Sequence, residues 1–253
     1  MHGIKIHFIV SPQEYAQDFA RLCIEKWGQT DILHASYVVS LGGDGTALQA
    51  RQEALAACLS TGKNVPVYNI DCSNSKYHRG ALTNKNVKNP EQVEESILEA
   101  QRTKIYPLQA DCELLEVKYG WPFHTYYGFN EIAIKVSDFQ MTHLEVKFNG
   151  EKPKSIQGDG CILATYSGKR GYYYNLKGKD FDEGFLGFQS IASRQNINRI
   201  IPDNSSVAVK VISHHRKASV MRDCNLISEP ISNAVIRKSN MPLIVLKDRQ
   251  KED

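Results

Sequence analysis

Hydrophobic positions in the first hundred residues alternate between short continuous runs and helical spacing. Residues 4–10, apolar apart from Lys5 and His7, read as a buried strand. Ser11-Pro12-Gln13-Glu14 follows, with an N-cap hydroxyl, a proline at the first helical position and a capping-box glutamate. This predicts a helix to about Trp27, with Tyr15, Phe19, Leu22 and Cys23 on one face. A second apolar run, Val38-Val39-Ser40-Leu41, leads through a glycine-rich turn into a helix-forming stretch that ends near Thr61-Gly62. Residues 65–70 predict a third strand, and Asn89-Pro90-Glu91 opens a helix to about Arg102. Strands and helices in alternation predict a parallel α/β layer.

From Ile105 onward the pattern changes to strand-like runs punctuated by turn residues. Leu144, Val146 and Phe148 alternate with Glu145 and Lys147, and Asn149-Gly150 predicts a hairpin turn. Residues 206–212 and 242–246 are further strands, and the charged residues 247–253 read as a frayed end. The expected fold class is therefore α/β, a Rossmann-like parallel α/β domain followed by a β-rich, sandwich-like domain. The change of texture places a boundary near residues 103–106. No internal repeat or low-complexity segment interrupts either half.

Composition narrows the classes. A chain of 253 residues is long enough for one larger domain or two small ones with a real core. Its net charge of +3 is spread along the chain, too weak to argue for a nucleic-acid or membrane partner. No apolar run is long enough to span a bilayer, and the N-terminus lacks a signal-peptide pattern. None of the six cysteines forms a Cys-x-x-Cys pair, so neither a zinc site nor a disulfide framework is expected. A reducing, cytoplasmic setting follows. Eight histidines, His214 and His215 among them, form no metal-binding pattern. His-Glu-x-x-His and Gly-x-Ser-x-Gly motifs are absent, so no metal ligand is assigned.

The candidate chemistry sits in Gly42-Gly43-Asp44-Gly45-Thr46, between the second strand and its helix. Glycines there allow close backbone approach, and a helix start offers N–H groups and a positive dipole end to phosphate. Asp44 beside such phosphates suits a general base or a carboxylate acting through Mg²⁺. Turn chemistry alone accounts equally well for these residues, with Asp44 as an N-cap and Gly42-Gly43 as the turn. The motif is neither a P-loop nor a Gly-x-Gly-x-x-Gly fingerprint.

Several stretches in order along the chain resemble the NAD kinase family, whose wider relatives include diacylglycerol kinases and phosphofructokinases. The glycine-rich turn resembles that family's phosphate loop. Gly128-Phe129-Asn130-Glu131-Ile132 resembles its Asn-Glu motif, and Gly158-Asp159-Gly160 its Asp-Gly segment. Ser167-Gly168-Lys169-Arg170-Gly171-Tyr172 falls where the family has a Gly-Ser-Thr-Ala-Tyr-like run, and Val220-Met221-Arg222-Asp223 where an Asp helps bind dinucleotide. The resemblance implies three segments: 1–104 with the phosphate loop, 105–235 binding dinucleotide, and 236–253 returning to the first domain. It implies phosphoryl transfer from ATP, or another donor such as polyphosphate, to the 2′-hydroxyl of the adenosine ribose of NAD. Gly42, Gly43, Gly45 and Thr46 would hold donor phosphates and Mg²⁺, and Asp44 would activate the acceptor hydroxyl. Asn130, Glu131, Asp159, Tyr172 and Asp223 would hold NAD. A homodimer or homotetramer is the implied assembly.

Two stretches depart from the family. Residues 71–82 are polar and longer than its glycine-bearing segment. Lys169 and Arg170 replace its small hydroxyl residues with long cations. Arg170 suits a phosphate of NAD, NADP or ATP, or it fills the acceptor pocket. The alternatives are therefore a catalytically weak pyridine-nucleotide-binding protein with a rebuilt pocket, or a kinase for another acceptor such as a lipid. No evident amphipathic membrane-binding segment supports the lipid version.

Overall fold

The computed structural model describes residues 4–72, 82–84, 87, 89–116, 120–136, 141–213 and 216–249. His214, His215 and most of the 71–82 stretch lie outside the described residues. The chain folds as two compact units, Met1–Ile105 with Pro242–Asp253, and Tyr106–Met241.

The first unit contains β1 (Ile6–Val10), α1 (Glu14–Trp27), β2 (Tyr37–Leu41), α2 (Asp44–Thr61), β3 (Val67–Ile70), α3 (Glu91–Glu99) and β4 (Gln101–Ile105). The last strand of the chain, Leu243–Lys247, inserts between β3 and β4, parallel to β3 and antiparallel to β4. The strands β1, β2 and β3 are parallel neighbours, and nearly all their residues are buried. Two helix boundaries differ from the sequence expectation. Helix α1 starts at Glu14 without a side-chain cap, because Ser11 is held at the sheet end by its N–H bond to the Leu41 carbonyl, 2.9 Å. Its buried face is Ala16, Ala20 and Cys23, whereas Leu22 is exposed. Helix α3 stops at Glu99, three residues short of Arg102, because residues 101–105 pair with the last strand. Here sheet pairing outweighs the local helical preference.

The second unit is built from β5 (Leu108–Leu114), β6 (Phe123–Gly128), β7 (Glu131–Val136), β8 (Thr142–Phe148), β9 (Lys154–Gly158) and β10 (Gly160–Ala164). The short α4 (Tyr172–Asn175), β11 (Phe185–Ile191), β12 (Asn198–Pro202), β13 (Ser206–Val211), β14 (Ala218–Arg222) and β15 (Asn225–Lys238) follow, which makes the inserted strand of the first unit β16. All eleven strands belong to one sheet, with the path β12-β11-β10-β7-β14-β15-β13-β8-β9 and with β5 and β6 branching from β15. That sheet curls. Six steps along the path separate β11 from β8, about 29 Å in a flat sheet at ~4.8 Å per strand. Yet the Phe148 and Phe188 rings meet edge to face, 4.9 Å between centroids. Their contact lies in a core of Leu144, Val146, Ile156, Leu163, Val209 and neighbours, the alternating inward positions of several strands. Asn149 and Gly150 make the turn after β8, both at positive φ.

Gly158-Asp159-Gly160 is a strand-to-strand link and not a tight turn. The strands β9 and β10 are not paired, and Asp159 bonds outward, its N–H to the Ile191 carbonyl and its carbonyl to the Val136 N–H. A Cβ on Gly160 would stand 2.0 Å from the Ile134 carbonyl oxygen, so only glycine lets the strands pass this closely.

Candidate functional site

In the first unit the carboxyl ends of β1, β2 and β3 converge, the usual ligand position in an open parallel sheet. Ser11 N–H bonds to the Leu41 carbonyl and Gly42 N–H to the Ile70 carbonyl, 2.9 and 3.1 Å. Gly43 is the N-cap of α2 and provides no side chain, so no side-chain cap covers the helix start. The glycines differ in reason. A Cβ on Gly42 would lie 2.5 Å from Thr46 Oγ1 and 2.9 Å from Ser11 Cβ, so this glycine is required by the fold. Cβ atoms on Gly43 or Gly45 would meet nothing within 4 Å. Glycine inside a helix costs about 0.5–1 kcal/mol relative to alanine, and at Gly45 no contact among the described residues requires it.

Asp44 is half-buried at the first turn of α2, and its Oδ1 accepts the Leu82 N–H at 2.9 Å. Leu82 is held from the other side by the buried Asn69, whose amide donates to the Leu82 carbonyl at 3.0 Å and accepts the Ser40 hydroxyl at 2.8 Å. Asn69 was not singled out in the sequence, where it is one polar residue at the end of an apolar strand. Its burial between β2 and residue 82 is a tertiary fact.

In the second unit three strand ends meet at one edge of the sheet. The strand β7 starts at Glu131, paired with Ala164 at the end of β10, while Arg222 at the end of β14 pairs with Ile132. The two-residue link from β14 to β15 is Asp223-Cys224, both at positive φ. The buried Asp223 carboxylate accepts the backbone N–H groups of Phe129, Asn130 and Glu131, at 2.9, 2.7 and 3.4 Å. From the β10 side, Thr165 Oγ1 donates to the Phe129 carbonyl at 2.8 Å and Thr165 N–H to the Asn130 carbonyl at 2.8 Å. Gly168 packs so closely that a Cβ would lie 2.1 Å from the Asn130 carbonyl oxygen.

This framework holds two side chains whose polar atoms are left over. Asn130 Oδ1 and Glu131 Oε2 are buried without a hydrogen-bond partner among the described residues. Glu131 is 1% exposed, and its other oxygen takes the Cys224 S–H at 3.4 Å. Burial, followed by the neighbouring Asp223 carboxylate, pushes the Glu131 carboxyl up to about 7. A Cβ on Gly171 would sit 3.5 Å from Oε2, in ordinary van der Waals contact, so Gly171 packs beside that buried oxygen. Buried acceptors without partners are costly and call for donors.

Of the residues expected to hold a dinucleotide, Asn130, Glu131 and Asp223 are brought together, with Asp223 turned to the backbone. Lys169 is committed elsewhere. Its ammonium pairs with Asp180 at 2.9 Å, donates to the Phe181 carbonyl and lies 4.5 Å from the Tyr166 ring centroid. Arg170 is exposed. Tyr172 is partly buried against Ala133, Ile162, Ala164 and Tyr173. Asp159 is not brought to this cluster, lying at the opposite end of β10 from Ala164, roughly 16 Å along the strand. Thr165, Gly168 and Cys224 complete the site and were missed, although the Asp-x hairpin turn and the Ser-Gly pair are visible signals.

No family model matches the chain. It aligns over 252 residues with an NAD kinase of Zymomonas mobilis subsp. mobilis, 25% identical, covering 96% of this chain and 92% of that one. Among solved structures it resembles an NAD kinase from Archaeoglobus fulgidus in complex with ATP, at TM-score 0.71 and 16% identity, covering 97% of this chain and 94% of the other. It also resembles a yeast NADH kinase complexed with NADH, at TM-score 0.79 and 13% identity, covering all of this chain and 85% of the other. The α/β fold with its curled antiparallel sheet is that of these solved structures, and over nearly its full length the chain is similar to curated NAD kinases.

Proposed function

We propose that the chain transfers the γ-phosphoryl group of ATP to the 2′-hydroxyl of the adenosine ribose of NAD, giving NADP. The observation that carries this reading is the pair of buried acceptors without partners, Asn130 Oδ1 and Glu131 Oε2. An adenosine supplies the donors they lack, an amino group and ribose hydroxyls. Asp223 holds the backbone that presents them. The start of α2 supports the donor half. Gly43 and Gly45 leave the backbone open to phosphate oxygens, and Thr46 stands on the same turn.

The bond from the ribose oxygen to Pγ forms, the bond from Pγ to the bridging oxygen of ADP breaks, and the hydroxyl proton passes to the Asp44 carboxylate. Mg²⁺ bound with ATP would neutralise charge on its phosphates. Oxygen donors suit that ion, and Thr46 would supply one on this turn, leaving the Asp44 carboxylate to take the proton. The commitment of Lys169 to Asp180 removes one of the two cations that would fill an acceptor pocket, which supports the enzyme reading over the rebuilt binding protein. Arg170 is proposed as a phosphate contact. Asp159 stays outside the acceptor cluster described for a single chain. The assembly is proposed to be a homodimer or homotetramer, in the cytoplasm.

Purified protein incubated with ATP, Mg²⁺ and NAD, with NADP read by a dehydrogenase specific for it, tests the reading. NADP formation that requires all three supports it. Tight NAD binding without turnover, with ATP or polyphosphate, would replace it by the binding-protein alternative.

A further inference from the structure

Cys224 occupies a position where a side chain is disfavoured. It is the second residue of the two-residue link between β14 and β15, at φ 65° after Asp223 at φ 46°. Links of this kind favour Asn-Gly or Asp-Gly, because glycine alone adopts positive φ without steric cost. The chain has Asp-Cys. The residue is exposed, so core packing does not explain the cysteine. Its sulfur does reach inward, 3.4 Å from Glu131 Oε1. The other oxygen of that carboxyl, Oε2, is buried without a partner among the described residues.

We infer that Cys224 is a positioning residue for Glu131: its S–H fixes one oxygen of the carboxyl and thereby presents the other to the ligand. The inference rests on the acceptor-site reading above for the identity of that ligand, but not for the coupling itself. Burial, and then the Glu131 carboxyl, push the thiol up to about 11, so it keeps its proton and remains a donor. The hydrogen bond also favours the ionised carboxylate, opposing burial and Asp223. Charged groups on the surrounding segments include Arg222 on β14, Lys135 farther along β7, Glu229 on β15, Arg170 on the loop after β10, and Lys169, which is paired with Asp180. Cys224 is thus the neighbour that acts as a neutral donor to Glu131, and its hydrogen bond favours the ionised carboxylate against the larger effects of burial and Asp223.

The test compares Cys224→Gly and Cys224→Ser with the parent, all as full-length protein. The carboxyl titration of Glu131 is followed by NMR without ligand, and KM and kcat for NAD are measured across pH. Cys224→Gly should melt at the parent temperature or above, since the strained link is relieved. Its Glu131 titration should move up by about half a unit, equivalent to about threefold in proton affinity. KM for NAD near pH 7 should rise about twofold, with a smaller change in kcat, and the KM profile should shift to higher pH. Cys224→Ser retains a donor and should restore the parent titration or lower it. A Glu131 titration unchanged in Cys224→Gly overturns the inference whatever NAD does. A shifted titration in a protein that does not phosphorylate NAD upholds the coupling and overturns the functional reading instead.

Discussion

The carboxylate of Asp223 accepts the backbone N–H of Asn130 at 2.7 Å, across 93 positions of chain. Its second oxygen takes the Phe129 N–H at 2.9 Å, so both oxygens serve the segment that carries the unpartnered acceptors. Hydrogen bonds to a charged acceptor contribute about 1.5–3 kcal/mol each. Asp223→Asn turns one acceptor into a donor facing an N–H. It should lower unfolding stability by about 2 kcal/mol in urea titrations and raise KM for NAD. Parent-like stability and KM together would show that the contact positions nothing.

Stability should fall with rising pH through the Glu131 titration. Below the ordinary value of 4.5 both folded and unfolded chains bind the proton, and between there and about 7 only the folded chain does. The folded state therefore loses advantage as pH rises through that window, and no further above it. The contribution is on the order of 3 kcal/mol. Glu131→Gln should flatten the decline in melting temperature from about pH 5 to 8, and an equal decline in both proteins would place its origin elsewhere.

Gly45→Ala should separate stability from binding. Its Cβ meets nothing within 4 Å, so the apo protein should gain about 0.5–1 kcal/mol. Affinity for ATP should fall at the same time if phosphate approaches the backbone at Gly45. Gly42→Ala should instead destabilise, given Thr46 and Ser11 within 3 Å of the new carbon. Thermal melts with and without ATP decide both.

Asp44→Asn should leave the fold intact, since an amide oxygen can still accept the Leu82 N–H. Turnover should drop by about 10²–10⁴ if the carboxylate takes the hydroxyl proton. Full activity in a variant that melts like the parent would make Asp44 a structural residue.

Lys169 and Arg170 should respond differently to replacement by threonine. Lys169→Thr removes a cation that pairs with Asp180 and lies over Tyr166, so the melting temperature should fall. Arg170→Thr, at an exposed position, should leave melting unchanged and weaken nucleotide binding by about 1.5–3 kcal/mol if the guanidinium holds phosphate. Calorimetric titration with NAD and with ATP identifies which phosphate is held, and unchanged affinity for both would remove Arg170 from the site.

What the chain determined by itself is what lies within one helical turn or one strand of each residue. The apolar runs feeding the Gly42–Thr46 turn, the inward Leu144, Val146 and Phe148, and the helix stop at Gly62 all follow from local periodicity and turn chemistry. Asn130-Glu131 was a polar strand end by physics alone and stood out only through its resemblance to a family motif. Tertiary structure decided the rest. Pairing with the last strand, not local preference, ended α3 at Glu99. Packing between distant strands made Gly158-Asp159-Gly160 a strand-to-strand link. It also gave Lys169 to Asp180, left Glu131 Oε2 without a partner among the described residues and set Asp223 and Cys224 against Glu131. Burial and charge depend on which segments meet across some ninety residues, and periodicity carries no information at that range.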